Sequence, residues 1–264
     1  STPGETSATV TTGKTLTLQN GQQPGGLYDL TLSVSGDRGS TQQKAMVDML
    51  FIVDKSGSMS GLIRGVRTAI ETITDSLSAN NKLDVRYSTV AFSGDDGWYD
   101  GAYDDAEVVT DWTKSATTIQ NGANGIRPNG GTDYEACLFN SKQQLRKVRE
   151  GAMTAVVFLS DGEPTFYYDK NGYTNGDGGA YEQTAMDNAV TLCRTLDVDY
   201  FYCVGAGTAN NLQTRLQNLV DGATLVADGQ KGVYMASEAE DLAGVFEKIQ
   251  DQLTFYACQD LSLI

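Results

Sequence analysis

Residues 46–60 read MVDMLFIVDKSGSMS, and the first nine of them decide what kind of sheet the chain builds. MVDMLFIVD is almost continuously apolar and rich in β-formers, as a central strand covered on both faces must be. The chemistry then changes within one residue: Asp54, Ser56 and Ser58 form D-x-S-x-S directly after the strand. Beyond them Leu62, Val66, Ala69, Ile70, Ile73 and Leu77 fall on one face at helical spacing, with Ser58 and Ser60 as candidate caps.

The same alternation continues down the chain. DVRYSTVAFS (84–93) and DAEVVTDWT (105–113) read as strands, Asp133–Glu150 as a helix, and TAVVFLS (154–160) as a strand. Tyr181–Leu196 reads as a helix, VDYFYCVG (198–205) as a strand, and Asn211–Val220 as a helix. GVYMAS (232–237) is the last strand of the series, and Glu238–Leu253 a closing helix with Ser237 and Glu240 as its capping box. Strands alternating with helices imply an α/β fold, a doubly wound and mostly parallel sheet with helices on both faces; the pair between 84 and 113 adds one antiparallel edge. Such sheets place their sites beyond the carboxyl ends of the strands, where strand order reverses. Three chemically distinctive loops fall there: DKSGSMS, the NGGTD turn at 129–133, and SDGEP at 160–164.

The composition narrows the functions available. With 264 residues and 40% apolar content the chain can bury a full core, and disorder is excluded. Its formal charge is -15, a field that repels nucleic acid and anionic membranes and attracts cations. The chain contains no histidine, which excludes Ser-His-Asp and Cys-His catalysis, His-containing zinc sites and an imidazole pH switch. There is no signal-peptide pattern at the start and no apolar run near the roughly 20 residues of a membrane span, so the expectation is a soluble chain cut from a longer protein. Cys137, Cys193 and Cys203 sit at core-like positions and are expected to be mostly free thiols, with Cys193–Cys203 the best disulfide alternative; Cys258 has no evident partner.

Asp54, Ser56 and Ser58, Thr132 in GGTD and Asp161 in LSDGEP would bring three hydroxyls and two carboxylates to one crevice. Oxygen-only donors of low charge suit a hard divalent cation, Mg²⁺ above all, with Ca²⁺ or Mn²⁺ as substitutes. Neutral hydroxyls would leave that ion electrophilic, with a position open to a carboxylate from a partner protein.

This set resembles the metal-ion-dependent adhesion site (MIDAS) of von Willebrand factor A domains, and the order of elements resembles that fold over residues 45–253. The resemblance implies that Ser56, Ser58 and Thr132 ligate the metal directly in the ligand-occupied state, with Asp54 and Asp161 often acting through water. The flanks, YDLTLSVSG before the domain and FYACQDLSLI after it, are similar to Gram-positive surface and pilus-tip adhesins, in which two such segments build a β domain interrupted by the A domain. That similarity implies a β appendage from residues 1–44 paired with a strand in 254–264. It also implies a non-enzymatic, extracellular, cell-wall or pilus adhesin whose partners are a carboxylate-bearing host or matrix protein and other pilus or surface subunits.

Two other readings fit part of the pattern. A carboxylate at a strand end also opens the haloacid dehalogenase phosphatases, whose nucleophile begins D-x-D; here Ser56 stands where the general acid would be. An intracellular, assembly-type A domain is the second alternative, although the chain has no Walker G-x-x-x-x-G-K-[ST]. The loops 94–105 and 166–182 are rich in Tyr, Gly and Asp, and Trp98, Tyr99, Tyr103, Tyr167, Tyr168 and Tyr173 are the candidate ligand-binding rim. Asn171, Asn175, Gly176 and Glu182 only partly mimic a calcium loop, because Tyr173 occupies a ligand position. Lys14 and Lys44 read as ordinary solvated lysines rather than isopeptide donors.

Overall fold

The computed structural model describes residues 9–18, 28–37, 44–95 and 103–260. The chain divides into two compact units, Ser1–Gln43 and Lys44–Ile264. In the first, β1 (Thr9–Leu18) and β2 (Tyr28–Asp37) form an antiparallel hairpin that pairs Leu16 with Leu30 and Leu18 with Tyr28. Alternation of apolar and polar residues in TLTL (15–18) and YDLTLSV (28–34) predicts a hairpin there, and both strands run beyond those stretches.

The second unit is the expected α/β fold. Its six-stranded sheet has the order β10-β9-β6-β3-β4-β5. The strands are β3 (Ala45–Asp54), β4 (Leu83–Phe92), β5 (Ala106–Thr113), β6 (Met153–Ser160), β9 (Val198–Ala206) and β10 (Leu225–Ala236). All neighbours pair in parallel except β5, which runs antiparallel to β4 at one edge. The residues of β3 alternate between two cores, as a strand covered on both sides requires. Phe51 and Val53 meet α1 (Ile63–Ala79), α2 (Ala116–Gly125) and α6 (Asp241–Asp260). Leu50 and Ile52 share a core with residues of α3 (Tyr134–Leu145), α4 (Gln183–Cys193) and α5 (Leu212–Gly222). Because β4 lies on one side of β3 and β6 on the other, strand order reverses at β3, and the crevice opens where β3 ends at Asp54 and β6 at Ser160.

Several expectations are corrected. The expected strand within 254–264 is helical as far as Asp260, and 261–264 lie outside the described residues. Leu242, Val245, Phe246, Ile249 and Leu253 bury one continuous stripe against the sheet, and no Gly or Pro after Gly244 stops the helix they establish. The helix expected over 133–150 ends at Leu145. The unexpected α2 is built from the weak helix formers ATTIQNGANG; it is capped by Ser115, whose Oγ accepts from the Thr118 N–H at 3.2 Å, and anchored by buried Ile119 and Ala123. The 166–182 segment folds into a small antiparallel pair, β7 (Phe166–Tyr168) and β8 (Thr174–Gly176). Cys137, Cys193 and Cys203 are buried free thiols, and burial raises the pKa of each.

Candidate metal centre

Asp54, the last residue of β3, is fully buried, and both of its carboxylate oxygens are engaged. Oδ1 accepts the Ser56 N–H at 2.7 Å, which closes the tight turn of the D-x-S loop. Oδ2 accepts the Ser160 hydroxyl at 2.5 Å. The Tyr134 hydroxyl in turn lies 2.9 Å from Ser160 Oγ and 2.9 Å from the Gly162 carbonyl. Ser56 Oγ lies 3.1 Å from Ser58 Oγ, and Ser58 Oγ donates to Asp161 Oδ1 at 2.8 Å. The Ser58 side chain is therefore spent on Asp161 rather than on capping α1, whose N-cap Leu62 has no side-chain cap bond.

Thr132 is delivered by a loop stitched to its neighbours through the backbone. The Gly131 N–H donates to the Gly94 carbonyl and the Asp133 N–H to the Ser93 carbonyl, each at 2.7 Å. The Gly57 N–H donates to the Gly130 carbonyl at 2.9 Å, joining this loop to D-x-S-x-S. The Thr165 hydroxyl accepts the Thr132 N–H at 2.9 Å, and the Thr165 N–H donates to the Thr132 carbonyl at 2.8 Å. Thr132 Oγ1 makes no hydrogen bond among the described residues. A methyl group placed on Gly162 would lie 3.8 Å from Thr132 Oγ1 and 3.9 Å from Ser58 Oγ, so the two hydroxyls converge on one space that glycine leaves open. The five residues expected to form the site are thus brought together.

The electrostatics favour a cation there. Burial, then the neighbouring Asp161 charge, push the Asp54 carboxyl up to about 7. Burial also raises Asp161, against the Ser58 hydrogen bond. A divalent ion would relieve both, because its charge inverts that logic. Among the described residues no three Cys, Asp or Glu side chains gather around a cation position. The donors here are chiefly hydroxyls, a set that fits a hard divalent cation retaining water.

Ser160, Tyr134 and Thr165, which hold Asp54 and Thr132 in place, did not stand out in the sequence. Ser160 directly precedes Asp161 and Tyr134 opens α3, but only the register of β6 beside β3 shows what they touch. The rim divides. Tyr173 is exposed directly before β8, where its carbonyl accepts the Asp169 N–H at 2.9 Å, and Tyr167 is half-buried. Tyr168 is corrected from rim to core: alternation along β7 turns it inward with Phe166, and its hydroxyl donates to Asp105 Oδ2 at 3.1 Å. Tyr103 stacks on Phe139 with ring centroids 3.9 Å apart, and Trp98 and Tyr99 lie outside the described residues. Asn171 donates from its N–H to Asp169 Oδ1, an Asx turn of the loop.

Comparison with known proteins bears on the fold. The von Willebrand factor type A domain model matches residues 49–163, from β3 through the Asp161 loop. Over those residues this chain is similar to von Willebrand factor type A domains. A bovine protein, inter-alpha-trypsin inhibitor heavy chain H4, is 30% identical over 125 residues, which is 45% of this chain and 13% of that protein. The human protein of the same name is 29% identical over 126 residues. The chain therefore matches only a small part of the curated relatives' length. Among solved structures, the PilB minor pilin from Streptococcus sanguinis superposes with a TM-score of 0.63 at 15% identity, covering 93% of this chain and 78% of that one. The open conformation of the SpaC pilus adhesin from Lactobacillus rhamnosus GG gives 0.58 at 19% identity, covering 92% and 33%. At such identities the likeness is one of fold. No helix among the described residues is long and apolar enough to cross a membrane.

Proposed function

We propose that the chain is a non-enzymatic, metal-dependent adhesion module of the cell surface that captures an Asp or Glu side chain of a host or extracellular-matrix protein. The observation that carries this reading is the convergence of Thr132 Oγ1 and Ser58 Oγ on the space that Gly162 leaves open, beside the buried Asp54 and Asp161. Ser56, Ser58 and Thr132 would hold Mg²⁺ through their hydroxyls, with Ca²⁺ or Mn²⁺ as substitutes. Asp54, whose oxygens already accept from Ser56 and Ser160, would act through water. Bound Mg²⁺ supplies a Lewis-acidic centre for a partner's carboxylate. Ser160 and Tyr134 keep the Asp54 carboxylate in one orientation, and the Thr132–Thr165 bonds keep the second loop in register with it.

The exposed Tyr173 and the half-buried Tyr167 would contribute aromatic contact area to the captured partner. Placement on the outer surface, and assembly with other pilus or surface subunits, draw support from the likeness to PilB and SpaC. The separate β1–β2 unit, within residues 1–44, fits such an assembly.

The test is capture of immobilised matrix and cell-surface proteins by the full chain, in Mg²⁺ and in EDTA. Capture that EDTA abolishes is the expected outcome. A chain that takes up Mg²⁺ in a calorimetric titration yet gives no metal-dependent capture from a broad panel would overturn the adhesive reading.

A further inference from the structure

The loop that carries Asp161 is fastened at several points. The Gly162 N–H donates to Ser160 Oγ at 3.2 Å, the Pro164 carbonyl accepts the Glu182 N–H at 2.9 Å, and the Thr165 N–H reaches Thr132. Between these points stands Glu163, whose carboxylate pairs with the guanidinium of Arg215 on α5. That guanidinium lies over the ring of Tyr181, 4.0 Å from its centroid, and the Tyr181 hydroxyl donates to Gln183 Oε1 at 3.0 Å. The cation is thus held between a flat ring and a carboxylate, an arrangement that suits a planar guanidinium and not an ammonium.

Burial separates this pair from the other ion pair at the crevice. The Arg215 and Glu163 side chains are 12% and 32% exposed, whereas Lys55 and Glu107 are 25% and 61% exposed. Enclosed, planar pairs hold geometry, and solvated ones contribute little. The Arg86 and Arg149 pairs with Asp48 lie near the start of β3, at the opposite end of the sheet from Asp54.

We propose that Arg215 is a positioning residue of the metal centre: through Glu163 it sets where the Asp161 carboxylate stands against Ser58. The inference rests on the Mg²⁺ reading above. Gly162 has no side chain to wedge the loop, so Glu163 is the side-chain anchor nearest to Asp161 on its C-terminal side. Asp161 Oδ1 must stay within hydrogen-bond reach of Ser58 Oγ, now 2.8 Å away, for hydroxyl and carboxylate to face one ion together. Groups that orient metal ligands commonly change affinity by about 10- to 100-fold when removed.

The signs of two substitutions separate positioning from plain charge. If the pair acted only through its long-range field, Arg215→Gln would strengthen Mg²⁺ binding and Glu163→Gln would weaken it. A latch requires both to weaken it, each by about tenfold, with the double variant no weaker than the weaker single one. Arg215→Lys, which keeps the charge and loses the flat stacking, should fall between parent and Arg215→Gln. The measurement is calorimetric Mg²⁺ titration of the full chain, paired with amide hydrogen exchange at Gly162 and Glu163 in EDTA, which should quicken in every variant. Arg215→Gln that binds Mg²⁺ as tightly as the parent, or more tightly, would overturn the proposal. Should Arg215→Gln fail to fold, Glu163→Gln and Arg215→Lys decide: parental affinity in both is equally fatal. A parent chain that takes up no Mg²⁺ at all would instead sink the metal reading, and the latch with it.

Discussion

Thr132 Oγ1 contributes to the crevice and to nothing else among the described residues, so Thr132→Ala should separate binding from folding. We expect loss of EDTA-sensitive capture and weaker Mg²⁺ uptake by calorimetry, while urea unfolding in EDTA shifts by about 1 kcal/mol or less. Gly130 makes the opposite case. Its φ is +76°, and a Cβ there would stand 2.5 Å from the Gly94 carbonyl oxygen. Gly130→Ala should therefore cost about 2 kcal/mol in the same unfolding experiment, and it should also weaken Mg²⁺ uptake, because the Gly130 carbonyl ties the Thr132 loop to Gly57. The five residues of the candidate site stood out in sequence because each sits in a short motif whose chemistry is local. Ser160 and Tyr134 were not, since their role exists only once β6 lies beside β3. Tyr168 misled for a related reason: a tyrosine in a loop rich in Gly and Asp looks exposed until the loop proves to contain a strand that buries alternate residues.

Asp48 in β3 shows how the sheet elements are locked at the end away from the site. It is fully buried; Oδ1 accepts from Arg86 Nε at 3.1 Å and Arg149 Nε at 2.9 Å, and Oδ2 from the Arg149 N–H at 2.8 Å, tying β3 to β4 and to the segment after α3. Burial alone would raise its carboxyl, but the hydrogen bonds and charges of the two arginines hold it below the usual carboxylate range. A depressed folded value means stability that is present above the unfolded pKa of about 3.9 and is lost as pH falls through the folded one. Asp48→Asn should consequently destabilise the chain by about 3 kcal/mol at pH 7, since it leaves two arginines without their carboxylate. The gap between parent and variant should close below pH 4, and urea midpoints measured across pH 3–8 would show it; a gap independent of pH would mean that packing rather than charge is lost. Elements with strong apolar periodicity, β3 and α1 above all, were readable from sequence. Low-propensity α2 was not, because a Ser115 cap and two buried side chains decide it. The tail of α6 was misread because FYAC alone suits a strand, and only the stripe from Leu242 to Leu253 carries the helix through it.

Among the described residues the two apolar cores run from Val47 to Leu253, all within the second unit, residues 44–264. The β1–β2 hairpin belongs to the other unit. A two-stranded hairpin is at best marginally stable by itself in water. The two units should accordingly differ when separated. A chain of residues 44–264 should unfold within about 3 °C of the full chain in EDTA, the shift that roughly 1 kcal/mol produces in a domain of this size. It should also take up Mg²⁺ with unchanged affinity, because Asp54, Ser56, Ser58, Thr132 and Asp161 are all held by residues of the second unit. Residues 1–43 alone should show no cooperative melt by circular dichroism. If removing them lowered the midpoint of the second unit by ten degrees or more, or cost it metal affinity, the hairpin would be part of the site's support, and the proposed adhesive role would have to be assigned to both units together.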